Sequence, residues 1–449
     1  MPIRNLWFFL FFLPAACNNH IDKQDDRLKL ADEMERSLQE NLLQTWYPKA
    51  IDVDSGGYFS NFNASFELKP QQTKMIVTQA RHLWSNAKAA ERYPDVQHYQ
   101  DGAKHGFVFL NEKMWDPVYG GFYQLVDRSG KPLLEKEPNK TAYGNSFGIF
   151  GLAAYFGATG DSAGLNLAIK AFEWLEKHSH DPVYKGYFQH LAQDGTPIKR
   201  QENTPSTSDL GYKDQNSSIH LLEAFTELYQ VWKNPLLRER LEEMHLLVRD
   251  VITNEKGSLV LFFQPDWTPV SFQDATEEEI MKHKNLDHVS YGHDVETAFL
   301  LQESAAALGW GVDPKTMEVA KRMLDHALAY GWDDEVGGFY DEGYYFKGES
   351  KPRIIKDSKN WWAQAEGMNS LLVMSTHYPN DPNAYFEKFL KHWQYIKENL
   401  IDHENGDWYS GGLDKQPQLV TGDKGHIWKA NYHQFRSMKH AIDVLKAKH

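Results

Sequence analysis

One short pattern constrains this chain more than any other feature. WDPVYGGFY at 115–123 returns as DVDSGGYFSNF at 52–62, HDPVYKGYFQ at 180–189, WDDEVGGFYDEG at 332–343 and, more loosely, NGDWYSGGL at 405–413. A degenerate sixth copy, EKGSLVLFFQPDW, lies at 255–267. Successive copies are roughly 65 to 80 residues apart, which is room for two helices and their connections.

Helical periodicity fills the intervals. Ala31, Met34, Leu38, Leu42 and Trp46 fall on one face of a helix over 27–46, and Ile219, Leu222, Phe225, Leu228 and Val231 on one face over 216–232. Weaker patterns predict helices at 73–93, 99–113, 142–158, 162–178, 236–252, 294–308, 315–329, 360–377, 383–400 and 430–447. Each glycine–aromatic segment then follows an odd-numbered helix and precedes an even-numbered one, as a tight turn whose glycines accept positive φ. Six helical hairpins in register close most simply as an all-α (α/α)6 barrel with short β-hairpin segments between helices; an open α-solenoid is the rival. A single barrel domain is expected over 27–449.

Composition removes several function classes. Hydrophobic residues at 41% supply a core, so the chain is globular. The formal charge of −14, with no basic run, argues against nucleic acid as a partner. A neutral or cationic small ligand suits it better, and the 14 Trp residues suit aromatic packing or platforms for sugar rings. The N-terminus, MPIRNLWFFLFFLPAAC, reads as a lipoprotein-type signal peptide over 1–17 ending at the acylatable Cys17, followed by a short tether over 18–26. A lipid-anchored cell-envelope protein is expected, or a secreted one if Cys17 is not acylated. Cys17 is the only cysteine, and with it acylated the mature chain has no free thiol, so disulfides and thiol catalysis drop out.

If the even-numbered helices form the inner ring, all six begin at one mouth and their first turns face one cavity. Those turns carry Gln79 and Arg81; Tyr143 and Asn145; Asn216 and His220; His293 and Glu296; Trp361, Trp362, Gln364 and Glu366; and Trp428, Tyr432 and His433. Helix N-termini add a positive potential there, suited to a developing anion and to a neutral histidine base. His293 and Glu296, at i and i+3, are close enough for the carboxylate to orient the imidazole. With His433 and His220 contributed by other repeats, two imidazoles could remove a proton from one face of a carbon and return one to the other, while Arg81 stabilises an enediolate. A metal site on His220, His293, Glu296 and His433 lacks any tight ligand spacing such as HExxH. A glycoside hydrolase would cast Glu296 and Glu366 as its two carboxylates, yet each has a nearer explanation as a partner of His or Trp.

At these positions SYGHDVE (290–296), NWWAQAEGM (360–368), NSSIHLLEAF (216–225), QARHLW (79–84), TAYGNSFGIFGLAAYF (141–156) and IWKANYH (427–433) resemble the motifs of the N-acylglucosamine 2-epimerase superfamily, above all its cellobiose and mannobiose 2-epimerase branch. The resemblance implies reversible epimerisation at C2 of a reducing-end sugar through a cis-enediolate, with no metal or nucleotide cofactor. It implies His293 and His433 as the acid/base pair, Arg81 and Glu296 as supports, and His220 as a helper in ring opening. Tyr143, Asn145, Asn216, Trp361, Trp362, Glu366 and Trp428 would shape the sugar subsites. Three positions depart from the family pattern: Ser218 stands where a histidine is usual, Asn431 replaces a proline and Gln434 replaces an asparagine. Ketose formation needs the same groups, and a non-catalytic glycan-binding lipoprotein needs only the aromatic cleft.

Overall fold

The computed structural model describes residues 21–135 and 137–447; Cys17, the rest of the signal-like segment and the start of the tether lie outside them. The first helix, α1, starts at Ile21, within the stretch read as tether, and runs to Arg36; a wide turn, Ser37–Leu43, carries it on into Gln44–Trp46. It is followed by α2 (Ile76–Arg92), α3 (Gln97–Phe109), α4 (Ala142–Thr159), α5 (Ser162–His178), α6 (Gln215–Val231) and α7 (Pro235–Leu247). Then come α8 (Glu277–His283), α9 (Tyr291–Ala307), α10 (Pro314–Tyr330), α11 (Trp361–His377), α12 (Tyr385–Asn399) and α13 (Tyr432–Lys446). All but the short α8 match helices expected from periodicity. Seven residues of a loop-like segment held too little apolar repeat to reveal it.

Helices α2, α4, α6, α9, α11 and α13 pack side by side in that order, and α13 returns to α2, closing the inner ring. The inner helices have little solvent face: in α4 every residue from Ala142 to Tyr155 is buried. The outer helices α1, α3, α5, α7, α10 and α12 alternate buried and exposed faces, as a helix covering a core on one side must. This is the (α/α)6 barrel, closed rather than solenoidal.

The glycine–aromatic segments are the joints of this barrel. Gly120 and Gly121 turn at φ +69° and +73°, and Trp115 bridges back to Phe122. A Cβ on Gly121 would stand 2.7 Å from the Trp174 ring, so both conformation and space require glycine there. The aromatic after the turn points inward: Phe122 and Phe339 are fully buried against Gly148 and Gly367 of the inner helices.

All but one of the strand pairs stitch neighbouring repeats together instead of pairing within one. The strand entering each inner helix pairs, antiparallel, with a strand that follows the next turn. Thus β1 (Lys74–Met75) pairs with β2 (Leu125–Val126), β3 (Lys140–Thr141) with β4 (His190–Leu191), and β5 (Lys213–Asp214) with β6 (Phe262–Phe263). Likewise β7 (Val289–Ser290), which enters α9, pairs with β8 (Glu342–Tyr344) of the fifth repeat, and β9 (Arg353–Lys356) of that repeat adds a third strand.

A buried lysine locks most of these joints. Lys74, Lys140, Lys213, Lys359 and Lys424 are fully buried and pair with Asp52, Asp116, Asp181, Asp333 and Asp402 at 2.7–3.0 Å. Each also donates to the carbonyl of the first turning residue, as Lys140 does to Gly120 at 2.5 Å. The degenerate copy has lost both partners together: Asn254 and Val289 occupy the aspartate and lysine places. A buried charge without its partner is costly, so the pair stands or falls as a unit.

Candidate active site

The first turns of the inner helices surround one mouth cavity of about 210 Å³. Its walls are Arg81 from α2, Tyr143 from α4, Asn216 and His220 from α6, His293 and Glu296 from α9, Trp361 and Trp362 from α11, and Trp428 and His433 at the start of α13. Ten of the twelve residues to which the resemblance gives a catalytic or subsite role therefore meet at one place.

Asn145 and Glu366 do not line it. Asn145 is fully buried; its Oδ1 accepts from Phe122 N at 2.8 Å and its Nδ2 donates to Thr141 O, so it clamps the preceding turn. Gln79 and Gln364 do the same for Tyr58 and Phe339, and Asp294 for Leu259. A polar residue in an inner first turn thus has two possible duties, and spacing from the helix start separates them only by the face it falls on. Glu366 lies behind the cavity wall, where it holds His433.

All three cavity histidines are held through Nδ1, which leaves Nε2 for the cavity. His433 Nδ1 bonds Glu366 Oε1 at 2.7 Å, His220 Nδ1 bonds Glu223 Oε2 at 2.8 Å, and His293 Nδ1 bonds Ser290 Oγ at 2.7 Å. The expected His293–Glu296 bond is absent. Ser290 holds the N-cap place of α9, yet its hydroxyl serves His293 rather than the backbone. The i,i+3 carboxylate–imidazole pair occurs on α6 instead, between His220 and Glu223. Burial favours neutral imidazoles: it lowers His293 to about 3, and desolvation together with the charges of Arg81 and Arg436 pushes His433 well below the ordinary range.

Glu296 faces away from His293, toward Arg436, a residue the sequence reading did not flag. Arg436 Nη2 lies 2.8 Å from Glu296 Oε1 and 2.7 Å from Glu366 Oε1, while Nη1 pairs with Glu223, which also accepts from Tyr432 OH. One guanidinium therefore joins three buried carboxylates. Burial and mutual repulsion raise Glu296 to about 7, and burial raises Glu366 to about 7. Burial would raise Glu223 too, but the Arg436 charge and the bonds from His220 and Tyr432 overcome it and hold Glu223 at about 2. Arg436 and Glu223 follow His433 and His220 by three residues each, which was the available signal.

Arg81 donates to Tyr143 OH at 3.1 Å and to Trp428 O at 3.2 Å, with its guanidinium 4.5 Å over the Phe147 ring. Its buried Nε has no protein acceptor. The indole of Trp362 touches both His293 and His433, at ring separations of 4.7 and 5.9 Å. Trp428 stands half-exposed at the rim. The departures at Ser218, Asn431 and Gln434 lie outside the cavity wall: they bond Asp214 O, Tyr47 OH and Asp407 Oδ1 respectively.

Among the described residues, Glu296, Glu366 and His433 bring ligand-type atoms within 4.8 Å of one another, a donor set that could suit a metal ion. Arg436 already lies against both carboxylates, so a second cation would meet its charge. The arrangement suits proton transfer: His293 and His433, favoured neutral, face one cavity, with Glu296 in its wall and Glu366 behind it as carboxyls that titrate near neutrality.

Known proteins share this frame. Residues 57–437 match the family model for N-acylglucosamine 2-epimerase. A cellobiose 2-epimerase of Bacteroides fragilis is 27% identical over 413 residues, covering 91% of this chain and 97% of that protein. The solved cellobiose 2-epimerase of Spirochaeta thermophila superposes with a TM-score of 0.79 at 27% identity, over 94% of this chain and 98% of that one. A D-mannose isomerase of Marinomonas mediterranea is 22% identical over 414 residues, covering 91% and 95%. By its matched span, its barrel and the residues at its mouth, the chain belongs to the N-acylglucosamine 2-epimerase family of carbohydrate epimerases and isomerases.

Proposed function

We propose that the protein is a sugar 2-epimerase interconverting C2 epimers at the reducing-end residue of a β-1,4-linked disaccharide of the cellobiose or mannobiose type. The observation that carries this reading is the set of imidazoles held through Nδ1 so that Nε2 faces one cavity. A cavity of about 210 Å³ is below the range for drug-sized ligands. It suits one sugar ring inside, with the second unit over the rim at Trp428.

In this mechanism His220 assists opening of the reducing-end ring. One of His293 and His433 then takes the C2 proton, and the C–H electrons form a cis-enediolate. Arg81 and the N-termini of α2, α9, α11 and α13, which no side chain caps, stabilise its oxyanion. After rotation about C2–C3 the other imidazole protonates the opposite face. With both imidazoles favoured neutral, the proton for the acid step is stored on Glu366, which ionises near neutrality and passes it through His433.

A second reading, aldose–ketose isomerisation, is favoured by the likeness to D-mannose isomerases and needs only protonation at C1 in place of C2. An NMR panel of cellobiose, mannobiose, mannose and N-acetylglucosamine in heavy water tests both. The disaccharide epimer with deuterium at C2 is expected; a ketose as sole product would assign the isomerase, and binding without turnover a glycan-binding role.

The N-terminal signal supports an envelope location with an acyl chain on Cys17. Arg27 donates to Val444 O and Lys446 reaches Glu35, so the start of α1 lies at the barrel end away from the mouth. On this reading the mouth opens away from the membrane. Fatty-acid labelling that persists in Cys17→Ser would contradict the anchor.

A further inference from the structure

Ionisable residues do not stop at the mouth ring. Below it the inner helices carry Glu223 and Glu227 on α6, Glu303 on α9, Arg436 and His440 on α13, and Lys88 on α2, all around a second cavity of about 200 Å³ on the barrel axis. Lys88 pairs with Glu227 at 2.8 Å. The cavity reaches solvent at the far end, where Gln230 and Glu303 of its wall are exposed. A barrel axis is filled at least cost by apolar side chains, and burying charges there costs several kcal/mol each unless they are paired. The wall also contains a buried donor, Arg436 Nε, without a protein acceptor, which is where a water binds in a polar space large enough to hold several.

Glu223 and Arg436 of the rear wall bond directly to residues of the front wall, Glu223 to His220 and Arg436 to Glu296. Glu223 is among the residues lining the rear cavity and holds His220 Nδ1 at 2.8 Å, while His220 is among those lining the front. An imidazole in that position can gain a proton on Nε2 and lose the one on Nδ1, moving a proton from the front wall to the rear wall without turning.

We infer that the rear cavity is a water-filled proton-exchange route between the catalytic ring and solvent at the far end of the barrel, with His220 and Glu223 as its link. The inference rests on the epimerase reading of the front cavity. While sugar fills the mouth, the proton taken from C2 passes from the histidine that received it, across the front cavity, to His220 Nε2. The Nδ1–H of His220 then breaks as Glu223 Oε2 takes the proton and hands it to rear water in the same step, so that Glu223, which Arg436 keeps ionised, is not left protonated. The reverse sequence returns a solvent proton, so no net charge is gained.

The test is solvent exchange during the bound lifetime. Cellobiose is turned over in heavy water to about one-tenth conversion, and C2 deuterium is measured by NMR in recovered substrate and in product. Wild-type enzyme should return substrate carrying deuterium. Glu303→Phe and Gln230→Phe, which fill the rear cavity from two exposed positions on different helices, should each lower the ratio of deuterium in recovered substrate to product formed at least fivefold, with product formation within twofold and thermal unfolding unchanged. Deuterium-free recovered substrate in wild type, or an unchanged ratio in both filled variants, would overturn the route. Absence of any C2 epimer from the wild-type reaction would instead sink the epimerase reading.

Discussion

Arg436 is the cation on which the carboxylate cluster depends, so Arg436→Met has a calculable effect. The substitution keeps much of the apolar volume but leaves Glu223, Glu296 and Glu366 buried without their shared partner. Breaking a buried ion pair from one side costs about 3–5 kcal/mol. At about 2.1 cal/mol/K per residue, a chain of this size unfolds with an entropy near 0.9 kcal/mol/K, so the loss corresponds to about 3–6 °C in Tm. The pH dependence separates this from a packing defect. In the wild type Arg436 helps hold Glu223 at about 2, below its ordinary value, so this carboxylate contributes stability that is full above the unfolded pKa and fades as pH falls. Arg436→Met loses that contribution. Its deficit should be largest at neutral pH and shrink below about 4.5. Calorimetry from about pH 2.5 to 8 on both proteins checks it, and a deficit independent of pH would refute the electrostatic reasoning. Activity should fall at least a hundredfold, because Glu366 loses the neighbour that fixes it against His433.

Other substitutions separate joints from chemistry. Asn145→Ala strands the buried Phe122 N–H and should cost about 1–3 kcal/mol in denaturant unfolding, with kcat/KM within twofold; a raised KM alone would put Asn145 back at the sugar. Lys140→Val should cost about 3–5 kcal/mol by leaving Asp116 buried alone, and Lys140→Val with Asp116→Asn, which copies the Val289 and Asn254 of the degenerate repeat, should recover most of it in the same assay. Trp428→Ala, at the rim, should raise KM roughly tenfold for the disaccharide, about 1–1.5 kcal/mol of stacking, and leave kcat nearly unchanged. Equal losses in kcat would place Trp428 in the chemical step.

Much of this was legible because the turn motif and the helical period are both local signals. Glycine pairs needing positive φ mark each joint, and joints at regular spacing determine which helices are inner and where their first turns point. In the structure Arg81, His220, His293 and His433 of the resulting ring line one cavity. What stayed hidden depends on pairing across the barrel. Arg436 lies near the end of the chain, 213 residues from Glu223 and 140 from Glu296, and its partners are set by ring closure alone. The i,i+3 rule pointed to Glu296 as the partner of His293, but a charged guanidinium outcompeted a neutral imidazole for that carboxylate. The same rule would have found Glu223 beside His220. Short β segments between helices were expected, but their pairing across repeats escaped for a similar reason: the strands are two to four residues long, so no alternation develops.

The central claim is that His293 and His433 move the C2 proton. The direct measurement is solvent-deuterium incorporation at C2 of cellobiose by the wild type, His293→Ala and His433→Ala, followed by NMR, with sugar binding measured in parallel. The two-histidine mechanism requires incorporation in the wild type and none in either variant while both still bind sugar. Exchange that persists in both variants would contradict it.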